Sequence, residues 1–311
     1  MSTSSRHTLG RELVAEAIGT GLLVFFGIGS LHVAVLLGGF EGLWQVAAVW
    51  GLGVGLAIYA TAAISGAHLN PAVSVALATL RRFPLARLGP FIIAQVGGGF
   101  VAASILYVLF NPAIARFEAA QGLVRGEAGS ERSAMVYGEY FPNPAMIGTS
   151  PEAASLVSLP VAALAEAIGT GLLVLFIFAL TDQYNDNRPG RGGVAFCIGL
   201  AVTAIICIIA PLTQAGLNPA RDFGPRLFSC FAGWGSIAIP GPRGGFFLVY
   251  ILAPIVGGLA GGAAYDLLLC PAITRLHREP EASATRDPAA AIDAKPRCFQ
   301  SPAHPSLVKP S

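Results

Sequence analysis

Apolar residues run along this chain in long unbroken blocks, without the alternation of a half-buried strand. Six blocks, Leu13 to Leu37, Leu43 to Ile64, Leu88 to Phe110, Leu159 to Thr181, Gly193 to Ala210 and Phe246 to Leu269, suit the roughly 20 helical residues that span a ~30 Å hydrocarbon layer. Each predicts a transmembrane helix. Two more apolar stretches, after Asn70 and after Asn218, are too short to cross. From Asn70 to Thr79 a helix extends only about 15 Å, half the layer. These predict half-helices that enter the membrane and stop.

Both short stretches open Asn-Pro-Ala. Asn caps free backbone N–H groups through its side-chain oxygen, and Pro suits the first helical turn, where its missing N–H costs nothing. With the oxygen engaged, the amide NH₂ is left to point elsewhere. The same tripeptide also begins at Asn111 and Asn143. The first is followed by the charged ARFEAAQGLVRGE and the second lies in the Pro-rich YFPNPAMIGTSP, so both are expected as turns in an outer loop.

The chain repeats itself. AEAIGTGLLV occurs at Ala15–Val24 and again at Ala165–Val174, a shift of 150, while SGAHLNPAVSVAL and TQAGLNPARDFGP align their Asn residues at a shift of 148. Each unit holds three spans, an odd number, so the second enters from the opposite side and the halves form an inverted repeat. The two half-helices then meet near the midplane, each presenting a positive helix end and an Asn amide. The expected organisation is an arm over 1–11, a channel domain over 12–270 and a disordered tail over 271–311. Within the domain, repeat one (about 12–110) and repeat two (about 159–270) are joined by an outer loop, 111–158.

Composition agrees with a lipid environment: 54% hydrophobic, 12% charged and mean hydropathy +0.66, against about 25% charged in soluble domains. The first apolar block is too long for a signal peptide's core and is read as a span. Thirteen of 19 Lys and Arg fall in the N-terminal arm, the connections between spans 2 and 3 and between spans 4 and 5, and the tail. Those regions share one face, so the positive-inside rule makes that face and both termini cytoplasmic. Cys197, Cys207, Cys230, Cys270 and Cys298 show no metal-ligand spacing and read as packing residues and a tail thiol.

Ionisable groups within spans are the strongest functional pointers, because each must face protein or water. Glu16 and Glu166 occupy equivalent places in the duplicated decapeptide. Each can accept hydrogen bonds from the non-helical backbone entering a half-helix, a bracing role favoured over proton carriage. His68 is read first as a satisfied loop residue, with a pore-wall role as the alternative. Arg221 sits in the first turn of the second half-helix, where a cation adds to the positive helix end. Adjacent helical residues do not face each other, which argues against pairing with Asp222, and Arg221 is assigned to the pore lining as a donor to hydroxyls that repels cations. The backbone of Gly66, Ala67, His68 and Leu69, and of Gln214, Ala215, Gly216 and Leu217, is expected to present carbonyl acceptors along one wall.

At SGAHLNPAVS, the duplicated AEAIGTGLLV and NPARDFGPR, over roughly Glu12 to Leu269, the chain resembles the major intrinsic proteins, the aquaporins and aquaglyceroporins. The resemblance implies an all-α membrane protein of the aquaporin fold, with six transmembrane helices and two re-entrant half-helices. Asp222 and Arg226 look like the glycerol-conducting branch, as do WGLGVGLAIY, PLT and AGWGSIAI. By the family's spacing the narrowest ring comprises Trp50, Ile206, Ala215 and Arg221. Trp50 is the glycerol-type choice. Ala215 departs from the aromatic common in glycerol facilitators and Ile206 from their glycine, so the ring is more similar to that of plant nodulin-like intrinsic proteins. Ile206 refilling the space left by Ala215, and Ile206 as an ordinary lipid-facing or core residue, are both open on this reading.

What the resemblance implies is a passive, ion-excluding channel for water and small neutral solutes, glycerol first, then urea and metalloid hydroxides, in a plasma-membrane homotetramer. It assigns no catalytic residue, metal, cofactor or nucleic acid partner. An inverted-repeat secondary transporter is the alternative, and it would need acidic coupling sites at the midplane. A junctional protein without conductance would be expected to carry a blocked cap, and both caps are intact.

Overall fold

The computed structural model describes residues 8–275, apart from Arg82 and the side chain of Arg191. The first unit consists of α1 (Leu9–Leu31, continued by a π-turn at His32–Leu36), α2 (Leu43–Ser65), the short α3 (Pro71–Leu80) and the long α4 (Leu85–Gln121). The one- to two-turn helices α5 (Glu131–Ala134) and α6 (Pro151–Leu156) belong to the connecting segment. The second unit repeats the pattern: α7 (Leu159–Thr181), α8 (Arg191–Thr213), the short α9 (Pro219–Ser229) and a last span, Leu248–Arg275, whose central part is α10 (Ala253–Ala264). Among the described residues six helices are thus long and apolar enough to cross a membrane, and α3 and α9 are not.

Three boundaries differ from the sequence reading. Asn111, Pro112 and Ala113 form no turn; they lie within α4, which runs to Gln121. Hydropathy marks where the bilayer ends, but the helix continues past it because its polar residues find partners, Glu118 accepting from Arg125 at 2.8 Å and from Ser133 at 2.8 Å. The last span likewise continues through 271–275 to Arg275, and the rest of the expected tail lies outside the described residues. At the other end α1 begins at Leu9, inside the expected arm, with the Thr8 carbonyl accepting from the N–H groups of Arg11 and Glu12. Asn143 does form a turn, its side chain accepting from the Ala145 N–H at 3.0 Å.

The units pack as an inverted pair. Helix α1 contacts α2 and α4 as α7 contacts α8 and α10. Each half-helix crosses over, α3 packing on α10 of the second unit and α9 on α4 of the first. Outward faces expose large apolar side chains such as Ile93, Val108 and Ile208, as lipid contact requires.

The repeated decapeptide explains itself position by position. A Cβ added at Gly19 would lie 2.5 Å from the Leu69 side chain, and one at Gly169 2.5 Å from that of Leu217. Both leucines immediately precede a capping Asn, so these glycines leave room for the re-entrant loops. Gly21 and Gly171 face the carbonyls of Gly98 and Gly257, at 3.3 and 3.0 Å for an added Cβ. Gly98 and Gly257 in turn lie against the backbone of Ala17 and Ala167. Small residues therefore bring the first and third spans of each unit into backbone contact.

Gly98→Leu or Gly257→Leu is expected to force these spans apart. Overpacking costs about 1–3 kcal/mol or more, and the test is a lower melting temperature and loss of monodisperse protein in detergent, with both positions affected alike.

Candidate functional site

Where α2 ends, Gly66 adopts a left-handed φ of +88°, and Ala67 and Leu69 follow at +51° and +52°. Gln214, Ala215 and Leu217 repeat this geometry at +63°, +60° and +55°. Left-handed backbone costs a non-glycine residue roughly 1–2 kcal/mol, so such loops persist only where neighbours dictate them. The glutamates do so. Glu16 accepts from the N–H groups of His68 (3.0 Å) and Leu69 (2.8 Å), and Glu166 from those of Gly216 (2.8 Å) and Leu217 (2.7 Å). A hydroxyl donates to each carboxylate at 2.6 Å, from Ser65 to Glu16 and from Thr213 to Glu166. Gln95 adds a bond to Glu16 at 2.7 Å. Ser65, Thr213 and Gln95 were not singled out from sequence, although the first two close α2 and α8 at matching places.

Asn70 and Asn218 cap their half-helices, accepting from the N–H groups of Ala72 (2.8 Å) and Ala220 (3.0 Å). Neither NH₂ group is wholly free, in contrast to the sequence reading. Asn70 donates to the carbonyl of Leu217 at 2.9 Å and Asn218 to that of Leu69 at 2.7 Å. Each half thus bonds the last loop carbonyl of the other, leaving one N–H of each amide for the lumen.

A cavity of about 220 Å³ passes these tips. One wall is built of stripes four residues apart: Trp50, Val54, Ile58 and Ala62 on α2; Val194, Ile198, Val202 and Ile206 on α8; Leu173, Ile177 and Thr181 on α7. Val194 to Ile206 spans about 18 Å of helix rise. The cavity is also lined by Gly66, Ala67, His68, Leu69, Ala215, Gly216 and Leu217, with Asn70, Asn218 and Arg221. Trp50, Ile206, Ala215 and Arg221 are therefore brought together on one lumen, and Ile206 faces it. Gln214 is outside this lining; its side chain accepts from the Tyr140 N–H at 2.9 Å and donates to the Met135 carbonyl at 3.1 Å. His68 borders the cavity while its ring packs against Phe83 and Phe91 and Nδ1 meets Ser74 Oγ at 3.1 Å. Its two sequence readings both describe it in part.

Arg221 does not pair with Asp222. Its guanidinium lies over the Trp50 ring, 4.1 Å from the centroid, and forms an ion pair with Glu139. Glu139, in the connecting segment, is the charged residue that sequence reasoning missed. Asp222 instead pairs with Arg226 at 2.9 Å, and both are fully buried. Next to Glu139, burial pushes the Tyr140 hydroxyl above its ordinary value, so it stays a neutral donor and bonds the Ile237 carbonyl at 2.9 Å.

Two opposed, amide-tipped half-helices beside a lumen now frame the comparisons. Residues 3–265 match the family described as Major intrinsic protein. The chain belongs to that family. Its relatives include the propanediol uptake facilitator PduF of Citrobacter freundii, 42% identical over 264 residues, covering 84% of this chain and 93% of the relative. The glycerol uptake facilitator protein of Escherichia coli (strain K12) is 40% identical over 268 residues, covering 86% and 90%. Among solved structures, the X-ray structure of the aquaglyceroporin from Plasmodium falciparum aligns with TM-score 0.73 and 28% identity, covering 86% of this chain and all of that one. Membership in the major intrinsic proteins carries the fold inferred from sequence.

Glu166→Ala would leave the N–H groups of Gly216 and Leu217 and the Thr213 hydroxyl without their acceptor. Each such loss costs about 1–3 kcal/mol, so folded protein is expected to fall sharply in size-exclusion yield and melting temperature. Glu166→Gln, which keeps one acceptor oxygen, is expected to be milder.

Proposed function

We infer that this major intrinsic protein is a passive channel for glycerol and similarly small neutral solutes together with water, and not an enzyme. The observation that carries the reading is the lumen beside the two capped half-helices, apolar on three helical stripes and polar on the other side. Carbon backbones slide along the stripes while hydroxyls exchange hydrogen bonds with the loop carbonyls, Asn70, Asn218 and Arg221. The relatives named for propanediol and glycerol uptake point to the same solute class, and the ring of Trp50, Ile206, Ala215 and Arg221 extends it to urea and metalloid hydroxides. Asp222 and Arg226 mark the glycerol-conducting branch.

Positive helix ends at the midplane make passage unfavourable for H₃O⁺ and metal cations. Glu16 and Glu166 act as braces, because their oxygens are committed to loop N–H groups and hydroxyls. That commitment speaks against a proton- or sodium-coupled transporter, which needs a carboxylate free to load. The protein works in the plasma membrane as a homotetramer with one pore per subunit, both termini cytoplasmic, consistent with the basic residues on the face that carries the termini.

In proteoliposomes, stopped-flow light scattering is expected to give non-saturating glycerol flux, indifferent to Na⁺ or pH gradients and without ionic current; coupled uphill uptake would exclude a channel. Arg221→Ala is expected to widen the range of solutes admitted. Ala215→Phe should narrow the ring and reduce urea and arsenite flux by severalfold while glycerol continues to pass. Unchanged urea and arsenite flux would remove Ala215 from the ring.

A further inference from the structure

The walls of the lumen carry the duplication as well. At the shift of 148 that relates Asn70 to Asn218, Val54, Ile58 and Ala62 of α2 fall on Val202, Ile206 and Ala210 of α8, all identical pairs, and Ala67 falls on Ala215. The structure keeps this correspondence. A Cβ added at Gly51 meets the carbonyl oxygen of Gly199, its counterpart, and one added at Gly199 meets that of Gly51, so α2 and α8 touch where the two-fold axis passes. Ala67 and Ala215 share a left-handed φ, +51° and +60°. Under the same operation the ring of Trp50, Ile206, Ala215 and Arg221 has an image across the Asn pair. It consists of Ile198, Ile58, Ala67 and Val73, and all of them line the cavity. Along α2 from Trp50 to Ile58, and along α8 from Ile198 to Ile206, the helix rises about 12 Å.

We propose that Ile58, Ala67, Val73 and Ile198 form a second selectivity ring, wholly aliphatic, that holds back water while solutes with an apolar flank pass. The identical pairs keep the two rings alike in girth, and the two unlike pairs change their chemistry. Trp50 leans on Gly27, where an added Cβ would overlap the indole. At the decapeptide's shift of 150 the counterpart of Gly27 is Ile177, which lines the cavity. The room given to one indole in the first ring is thus shared by Ile177 and Ile198 in the second. Arg221 is replaced by Val73, 4% exposed, which has no donor. His68 borders the cavity beside Ala67, but its ring packs on Phe83 and Phe91 and its Nδ1 meets Ser74. Water entering an aliphatic girdle gives up hydrogen bonds that no side chain restores, whereas the carbons of a polyol are favoured there. Hydroxyls are oriented at the guanidinium ring and water is penalised at the aliphatic one, so the two act in series.

The inference rests on the channel reading, and the experiment separates the two. Water and glycerol permeabilities are measured on proteoliposomes of the full chain carrying wild type, Val73→Thr, Ile198→Thr or Ile208→Thr, each checked for melting temperature. Ile208 lies on α8 with its side chain exposed on the outward face, and its variant is expected to match wild type. A wild type that passes no glycerol sinks the channel reading, and the second ring with it. In a conducting wild type, Val73→Thr and Ile198→Thr are each expected to raise water permeability about fivefold, the effect of one hydrogen bond returned to water at its barrier. Glycerol permeability should change by less than about twofold, because its carbons and not its hydroxyls face the ring. The two positions stand on different helices, so either variant that folds decides. Water permeability at the wild-type level in a folded Val73→Thr or Ile198→Thr overturns the proposal. So does an equal rise in Ile208→Thr, or a rise of water and glycerol together, which marks a loosened wall.

Discussion

Inside a bilayer there is no water to receive a backbone N–H, and that scarcity governs this architecture. Among the described residues the six long apolar spans answer it by being helical. The two re-entrant loops cannot, since their residues adopt left-handed conformations on the way into each half-helix. One buried carboxylate per loop replaces the absent solvent, taking two consecutive N–H groups and a hydroxyl from the end of the preceding helix. The loop geometry, the placing of the Asn caps and the approach of the half-helices all depend on that substitution. It also explains why a glutamate is tolerated in the middle of an apolar span: its acceptor capacity is used.

The two units solve the problem alike, but they do not line the lumen alike. The first half-helix continues after its cap with Val73 and the second with Arg221, and the second is met by the connecting segment. That segment, through Glu139, Tyr140 and Asn143, is bound to Asp222, Gln214 and the Ala210 carbonyl. Symmetry therefore describes the capped tips, while the surroundings of Arg221 and Asp222 include the asymmetric connector.

What the sequence made legible follows from which interactions are local or duplicated. Spans appear in composition, caps in a tripeptide, and the inverted relation in the repeat, so the fold and its two Asn-capped half-helices could be read directly. The helix end beyond the membrane at Gln121 could not, because hydropathy reports the solvent and not the backbone. The partner of Arg221 was hidden for another reason. Glu139 is 82 residues away in a loop with no counterpart in the other half, so neither periodicity nor repetition pointed to it. Gln214 was read for its backbone carbonyl alone, and the binding of its side chain to the connector had no signal in the spacing.

The exchange of hydrogen bonds between Asn70 and Leu217, and between Asn218 and Leu69, bears on how such a chain arises. When the ribosome has delivered only the first three spans, the Leu69 carbonyl has no donor and α3 has no α10 to lie on. A lone unit is hence an unfinished object, and biogenesis must hold it open until its sibling is threaded the other way.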